Sequence, residues 1–314
     1  MLNRVRRPAP PQAAAVPLAR VLVLLAAGAL GACSRDPVVW TEAAERRLVV
    51  PAPTSERPIA FPDAIADSML TGAMQTALPA AGGTATPLAA LPPDPAGTRC
   101  APSLRWAPGR DGERVAAWWA LRPDRTAEVM ASRSTDGGAT WDAPVRVDTL
   151  DRGAVGCERP APAVAVDTVN GFVHLAYAMA APEGRGVFYA HRMDPRAAFE
   201  PPQVIVYGDR PATTSVVSAG DLVLVAYEDP NTGGRPFISV AVSRTAGHTW
   251  DERFPASQGS MSAERPLVRV RGRDVALGWV ERSAPRELVT TEDPRAAPTP
   301  YPTGVVVRVG RLRE

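Results

Sequence analysis

The chain has 314 residues, of which 45% are hydrophobic, 22% charged, 34 proline and 25 glycine; this excludes a wholly disordered chain and leaves room for one or two domains with a real core. All 35 basic residues are arginine, which excludes Schiff-base chemistry and a P-loop lysine. The net charge of +2 comes from Arg4, Arg6, Arg7 and Arg20; beyond residue 33 there are 31 arginines against 33 acids, a near-neutral balance that offers nucleic acid no electrostatic footing.

In chain order the first element is an address. Basic residues 4–20 precede an apolar run, Val21 to Leu30. That run is about half the ~20 residues needed to cross a bilayer, and the pattern over 1–32 is that of a secretory signal peptide. Leu30-Gly31-Ala32-Cys33 resembles the lipobox of bacterial lipoproteins. The resemblance implies cleavage before Cys33, acylation of its thiol and a lipid anchor in the bacterial cell envelope, on the outer membrane or a periplasmic face. An ordinary signal peptide with an incidental Cys33 is the competing reading. Export also bears on the two other cysteines: with Cys33 acylated, Cys100 and Cys157 form an even pair in an oxidising compartment, which predicts a disulfide, with two buried free thiols as the alternative.

Residues 33–98 are rich in Pro and Ala and read as a tether, with a helix-compatible stretch at Asp63 to Leu78 and a degenerate blade start at Ser55-Glu56-Arg57-Pro58. From residue 99 the texture changes to short Val-rich alternating runs between Gly, Pro and Asp. Strands are expected at 113–121, 171–179, 221–228 and 274–281, each followed by another at 127–134, 186–193, 236–243 and 286–292. A further strand precedes each pair and opens on a repeated phrase: Arg99-Cys100-Ala101-Pro102, Glu158-Arg159-Pro160, Asp209-Arg210-Pro211 and Glu264-Arg265-Pro266, with arginine spacings of 60, 51 and 55. Closing strands are expected at 143–149, 201–207 and 303–309. Four antiparallel strands repeated about every 50 residues predict an all-β fold, a β-propeller of four-stranded blades over 99–314. Four or five blades fit this length, and six would require degenerate blades within 34–98. Residues 37–50 are expected to add a strand to the last blade and so join the chain ends.

Ser134-Thr135-Asp136-Gly137-Gly138-Ala139-Thr140-Trp141 follows the third strand of the first unit and resembles the Asp-box, S-x-D-x-G-x-T-W, of sialidase and BNR-repeat propellers. Ser243 to Trp250 repeats it 109 residues later, keeping Ser243, Gly247, Thr249 and Trp250 but placing Thr245 where the aspartate would stand. In the family the box is structural: Ser134, Asp136, Gly138, Thr140 and Trp141 shape a hairpin turn away from the active face. The resemblance further implies arginines gripping an anionic sugar, a Tyr nucleophile paired with Glu, and an Asp acid/base. Arg99, Arg159, Arg210 and Arg265 are the candidate anion-binding set, because each opens an innermost strand; the alternative is that each pairs with its neighbouring acid and pins a blade junction. No Tyr–Glu pair is placed by motif, since Tyr227 and Glu228 point to opposite faces of one strand, so no catalytic residue is assigned.

His174 alternates with Val173 and Leu175 as a packed strand residue. His191 and His248 fall near loops, and no two of the three histidines share metal-ligand spacing; neither metal nor cofactor is expected. Trp118 and Trp119 face opposite sides of one strand and read as inter-blade packing. The sequence thus predicts an envelope-anchored propeller for binding or scaffolding, with a membrane as partner through the lipid and a glycan or envelope protein at its open face. The alternatives are an exo-α-sialidase or related glycoside hydrolase, and a purely structural envelope component.

Overall fold

A computed structural model describes residues 37–41, 46–49, 63–79, 88–94, 98–151, 156–194, 196–210, 212–231, 235–250, 252–257, 262–282 and 302–313. The signal peptide, Cys33, the Ser55–Pro58 phrase and the strand expected at 286–292 lie outside the described residues. In order, the elements are β1 (Val38–Trp40), β2 (Arg46–Val49), α1 (Asp63–Ala77), β3 (Arg105–Pro108), β4 (Arg114–Leu121), β5 (Ala127–Ser134), β6 (Val145–Arg146), β7 (Ala163–Val166), β8 (Val173–Ala181), β9 (Gly184–Arg192), β10 (Gln203–Tyr207), β11 (Thr214–Ala219), β12 (Leu222–Glu228), β13 (Ile238–Ser243), β14 (Glu252–Pro255), β15 (Ser262–Arg271), β16 (Asp274–Arg282) and β17 (Pro302–Leu312).

These strands make four antiparallel sheets, β3-β4-β5-β6, β7-β8-β9-β10, β11-β12-β13-β14 and β15-β16-β17 with β1 and β2. They are the blades of a β-propeller. The strand period of two explains how the blades stack. In β4, Val115, Ala117 and Trp119 join Leu175, Tyr177 and Phe188 in one core between blades one and two. On the far faces of the second sheet, Ala176, Val187 and Tyr189 meet Val223, Val225 and Tyr227 of blade three. Leu224 and Ala226 in turn meet Leu277, Trp279 and Val306 of blade four. Each central strand is apolar on both faces because each face has a neighbour.

Blade four corrects the sequence expectation for its closing strand. β17 pairs along β16, with Leu277 opposite Arg308 and Val280 opposite Val305, and so takes the third place. The fourth place goes to the N-terminal strands: Val38 lies opposite Leu312 and Leu48 opposite Val305. β17 suits an interior position, since Val306 faces blade three while Val305 and Val307 face α1. An edge strand would leave a run of valines half-covered.

Helix α1 covers that second face. Ala66, Leu70, Met74 and Leu78 recur every fourth residue and bury against Ala276, Val280, Val305 and Val307, as a helix of period 3.6 requires. Gly278 lets the helix come close, because a Cβ there would stand 2.7 Å from the Leu70 Cδ1 and 2.8 Å from the Met74 sulfur. Residues 38–40 and 46–49 pair within the last blade, as expected of 37–50, while the packing of 63–77 on that blade corrects the reading of this stretch as part of a tether. The outer face of blade one, with Trp118 and Trp106, is bordered by residues 88–94, where Trp141 donates to the Ala90 carbonyl at 3.0 Å. Among the described residues, no helix is long and apolar enough to cross a membrane.

Candidate functional site

The Cys100–Cys157 disulfide forms, with Cα atoms 5.4 Å apart, and fastens the start of blade one to the lead-in of blade two. Closing a loop of this length stabilises the fold by about 4 kcal/mol in the chain-entropy account.

The four phrase arginines do not converge on one point. Arg99 donates to the Pro92 carbonyl at 2.6 Å, with its guanidinium 5.9 Å from the Trp118 ring. Arg159 is bonded to Asp151 at 2.6 Å and to the Ala178 carbonyl at 3.0 Å, and lies 3.7 Å above the Trp119 ring. Arg265 pairs with Asp67 of α1. Arg210 is exposed and shares with Arg159 and Arg185 a small cleft of about 130 Å³ beside Glu158 and Asp209. The pairing alternative is corrected in its partners: Arg159 and Arg265 bond distant acids, not their sequence neighbours, and Glu264 bonds Arg282 at 2.6 Å.

Arg265 also turns the chain. It has φ of 59° at a bulge between Glu264 and Leu267 in the β15–β16 pairing, a conformation that strains a side-chain-bearing residue. The bulge aims its backbone N–H at the Glu228 carboxylate, 2.8 Å away, and the Thr213 hydroxyl donates to the same carboxylate. Burial pushes the Glu228 pKa up, and these bonds work against that rise. Glu228 is therefore a clasp between blades three and four.

The innermost strands of all four blades and α1 line one cavity of about 480 Å³. Its polar lining includes Asp67 and Thr71 from α1, Arg105 from β3, Thr213 beside β11, and Arg265 and Arg269 from β15. The charges of Asp67 and Arg265 both act on Arg105, which otherwise bonds only carbonyls of its own segment, Pro102 at 3.0 Å and Leu104 at 2.8 Å. Arg269 donates to Gln75 at 2.7 Å and to the Leu78 carbonyl at 3.2 Å. The cavity thus offers guanidinium and hydroxyl donors with a single carboxylate among its described lining residues. Sequence reasoning selected Arg265 but missed Arg105, Arg269 and Asp67. The alternation Val268-Arg269-Val270-Arg271 on an innermost strand was the available signal; Asp67 had none, because its segment read as a tether.

Tyrosine is absent from that lining among the described residues. Tyr177, Tyr189 and Tyr227 are sealed between blades at 0%, 0% and 2% exposure, and burial pushes all three hydroxyl pKa values up, Tyr227 to about 12. Trp118 and Trp119 are buried, on opposite faces of β4 as read from the sequence. His174 is fully buried and bonds the Tyr189 hydroxyl through Nδ1 at 2.6 Å.

The box-like turns lie at the β5–β6 and β13–β14 hairpins. The Asp136 carboxylate accepts from the Ala139 and Thr140 backbone N–H groups at 3.0 and 2.8 Å and from the Thr140 hydroxyl at 2.6 Å. Ser134 Oγ receives the Gly138 N–H at 2.8 Å. The bonds from Thr140, with one from the Ser134 hydroxyl at 2.8 Å and that from Ala139, hold the Asp136 pKa down at about 2. In the second turn Ser243 Oγ receives the Gly247 N–H at 2.9 Å, and Thr245 Oγ1 receives the Thr249 N–H at 2.9 Å. The Thr245 hydroxyl takes over the bond to the last backbone N–H, while the His248 N–H turns to the Thr245 carbonyl at 3.0 Å.

No family model matches this chain, and no curated protein matches it. Among solved structures it is similar to the Hadza microbial sialidase Hz136, with 16% identity and a TM-score of 0.44 over 56% of this chain and 41% of that one. It is similar also to a Trypanosoma rangeli sialidase in complex with the inhibitor DANA, with 13% identity and a TM-score of 0.43 over 57% and 35%. The polysaccharide lyase Uly1 gives 12% identity and a TM-score of 0.40 over 67% and 45%. The match spans less than half the length of each of these chains.

Proposed function

We propose that this chain is an exported, lipid-anchored propeller that binds an anionic ligand at its central cavity without turning it over. The observation that carries this reading is the set of Arg105, Arg265 and Arg269 with Thr71 and Thr213 around one cavity bordered by all four blades and α1. Guanidinium forks beside hydroxyl donors suit a carboxylated saccharide or an acidic segment of an envelope protein. Hydrolysis has weaker support. A glycosidase needs two opposed carboxyl groups, or a Tyr nucleophile in the sialidase manner, and the described lining supplies Asp67 alone, already engaged by Arg265. The anchor rests on the Leu30-Gly31-Ala32-Cys33 sequence. Only four residues separate Cys33 from Val38 of β1, five steps that span at most ~18 Å, so acylation would hold the propeller close to the membrane.

The test is binding of the purified protein to a panel of carboxylated and neutral saccharides. Carboxylated members should bind selectively, and Arg105→Ala should weaken them on the order of tenfold with the melting temperature unchanged, since Arg105 is exposed. Failure of every carboxylated member at millimolar concentration, or equal binding by Arg105→Ala, would overturn the reading. The intact mass of protein extracted from membranes should show acyl chains that Cys33→Ala lacks.

A further inference from the structure

Away from the cavity, blades two and three bring together side chains far apart in the chain. His191 lies on β9, on the face it shares with Tyr189, and its carbonyl accepts the Glu200 N–H at 2.9 Å. That bond folds the chain back and places the Glu200 carboxylate 3.6 Å from His191 Nε2. His248 comes from the Ser243–Trp250 turn of blade three, with its ring 4.8 Å from that of His191 and at 83° to it. One ligand atom from each of the three lies within 4.8 Å of the others.

The surroundings are built to hold this meeting. Gln203 donates to the Gly247 carbonyl at 3.2 Å, and Trp250 sits edge-on to Tyr189 at 4.8 Å. Gly247, with φ of 92°, is where the Tyr189 hydroxyl occupies the place of a Cβ, so the turn seats directly on blade two. A second observation is independent of the clustering. His191 is 1% exposed, and its Nε2 has no hydrogen-bond partner. An unsatisfied buried polar atom destabilises the fold unless something occupies its lone pair. At 3.6 Å the contact with Glu200 is too long to serve as a hydrogen bond.

We propose that His191, Glu200 and His248 form a binding site for a divalent transition-metal ion, zinc by its donor set, that joins blades two and three. Two imidazoles and one carboxylate are a known zinc set with one position left for water, and one carboxylate is too few for calcium. Zinc bond lengths put tetrahedral ligand atoms ~3.4 Å apart. His191 and Glu200 already stand at nearly that separation, and the exposed His248 need only turn inward by about an ångström, a small side-chain adjustment at a surface position. Water reaches the ion from the side of His248 and Glu200, whose side chain is 38% exposed.

The test is a zinc titration of the chelator-stripped protein, prepared without a histidine tag, against a chromophoric competitor, with cobalt absorption as a second readout. One ion per chain should bind, at micromolar dissociation constant or tighter. His248→Ala and Glu200→Gln should each weaken it on the order of tenfold or more and abolish the zinc-induced rise in melting temperature, while the metal-free melting temperature stays put. The chain has three histidines, so a loss is assigned cleanly. Absence of a stoichiometric ion, or undiminished binding in His248→Ala, would overturn the proposal.

Discussion

At the scale of single residues, the arginines divide by what surrounds their charge. Arg159 has a side chain 6% exposed beside an Asp151 that is 1% exposed, so its guanidinium balances a buried carboxylate and stacks on Trp119. Removing one member of such a pair is destabilising by about 3–5 kcal/mol. Arg159→Ala should therefore lower stability by about that amount in denaturant unfolding, whereas Arg210→Ala, on the surface, should change it by less than about 0.5 kcal/mol. Equal, small effects would mean that Arg159 is held for a ligand and not for the blade junction. The phrase arginines were legible as a set because they recur with the blades. Their partners were not, since Asp67 is 198 residues from Arg265 and belongs to a helix whose contacts no local pattern announces.

At the scale of elements, the first box-like turn stores its order in one carboxylate. The Asp136 pKa is held at about 2, first by the Thr140 hydroxyl and backbone bonds and then by Ser134, below the ordinary ~3.9 of an aspartate. A depressed folded-state pKa gives stability that is present above the unfolded value and lost as pH falls through the folded one. The melting-temperature gap between the native chain and Asp136→Ala should therefore be present at pH 7 and close between about pH 4 and pH 2. A gap that persists unchanged at pH 2 would show that charge plays no part. Turns and central strands were readable because their signals are local: Gly and Asp at fixed offsets, and apolar residues at period two. The place of β17 was not, because a run apolar on both faces suits any interior position, and only pairing with β1 and β2 decides which. The seating of α1 on blade four was hidden for the same reason; Gly278 explains the close approach only once the helix is there.

At the scale of the whole molecule, four sheets are joined face to face by successive apolar cores, and α1 covers the last face. The innermost strands deliver arginines and hydroxyls to one cavity, while Tyr177, Tyr189 and Tyr227 are sealed between blades. This division fits the binding proposed for the cavity and gives the three sealed tyrosines a packing role. The blade repeat foretold the innermost strands as a common lining, but the bulge that turns the chain at Arg265 was invisible to a period-two reading. The claim that the cavity binds without catalysis is tested most directly by incubating the purified protein at high concentration with a fluorogenic sialoside. No release of fluorophore above the buffer rate is predicted; release that disappears in the folded Arg105→Ala variant would contradict the account and make the cavity an active site.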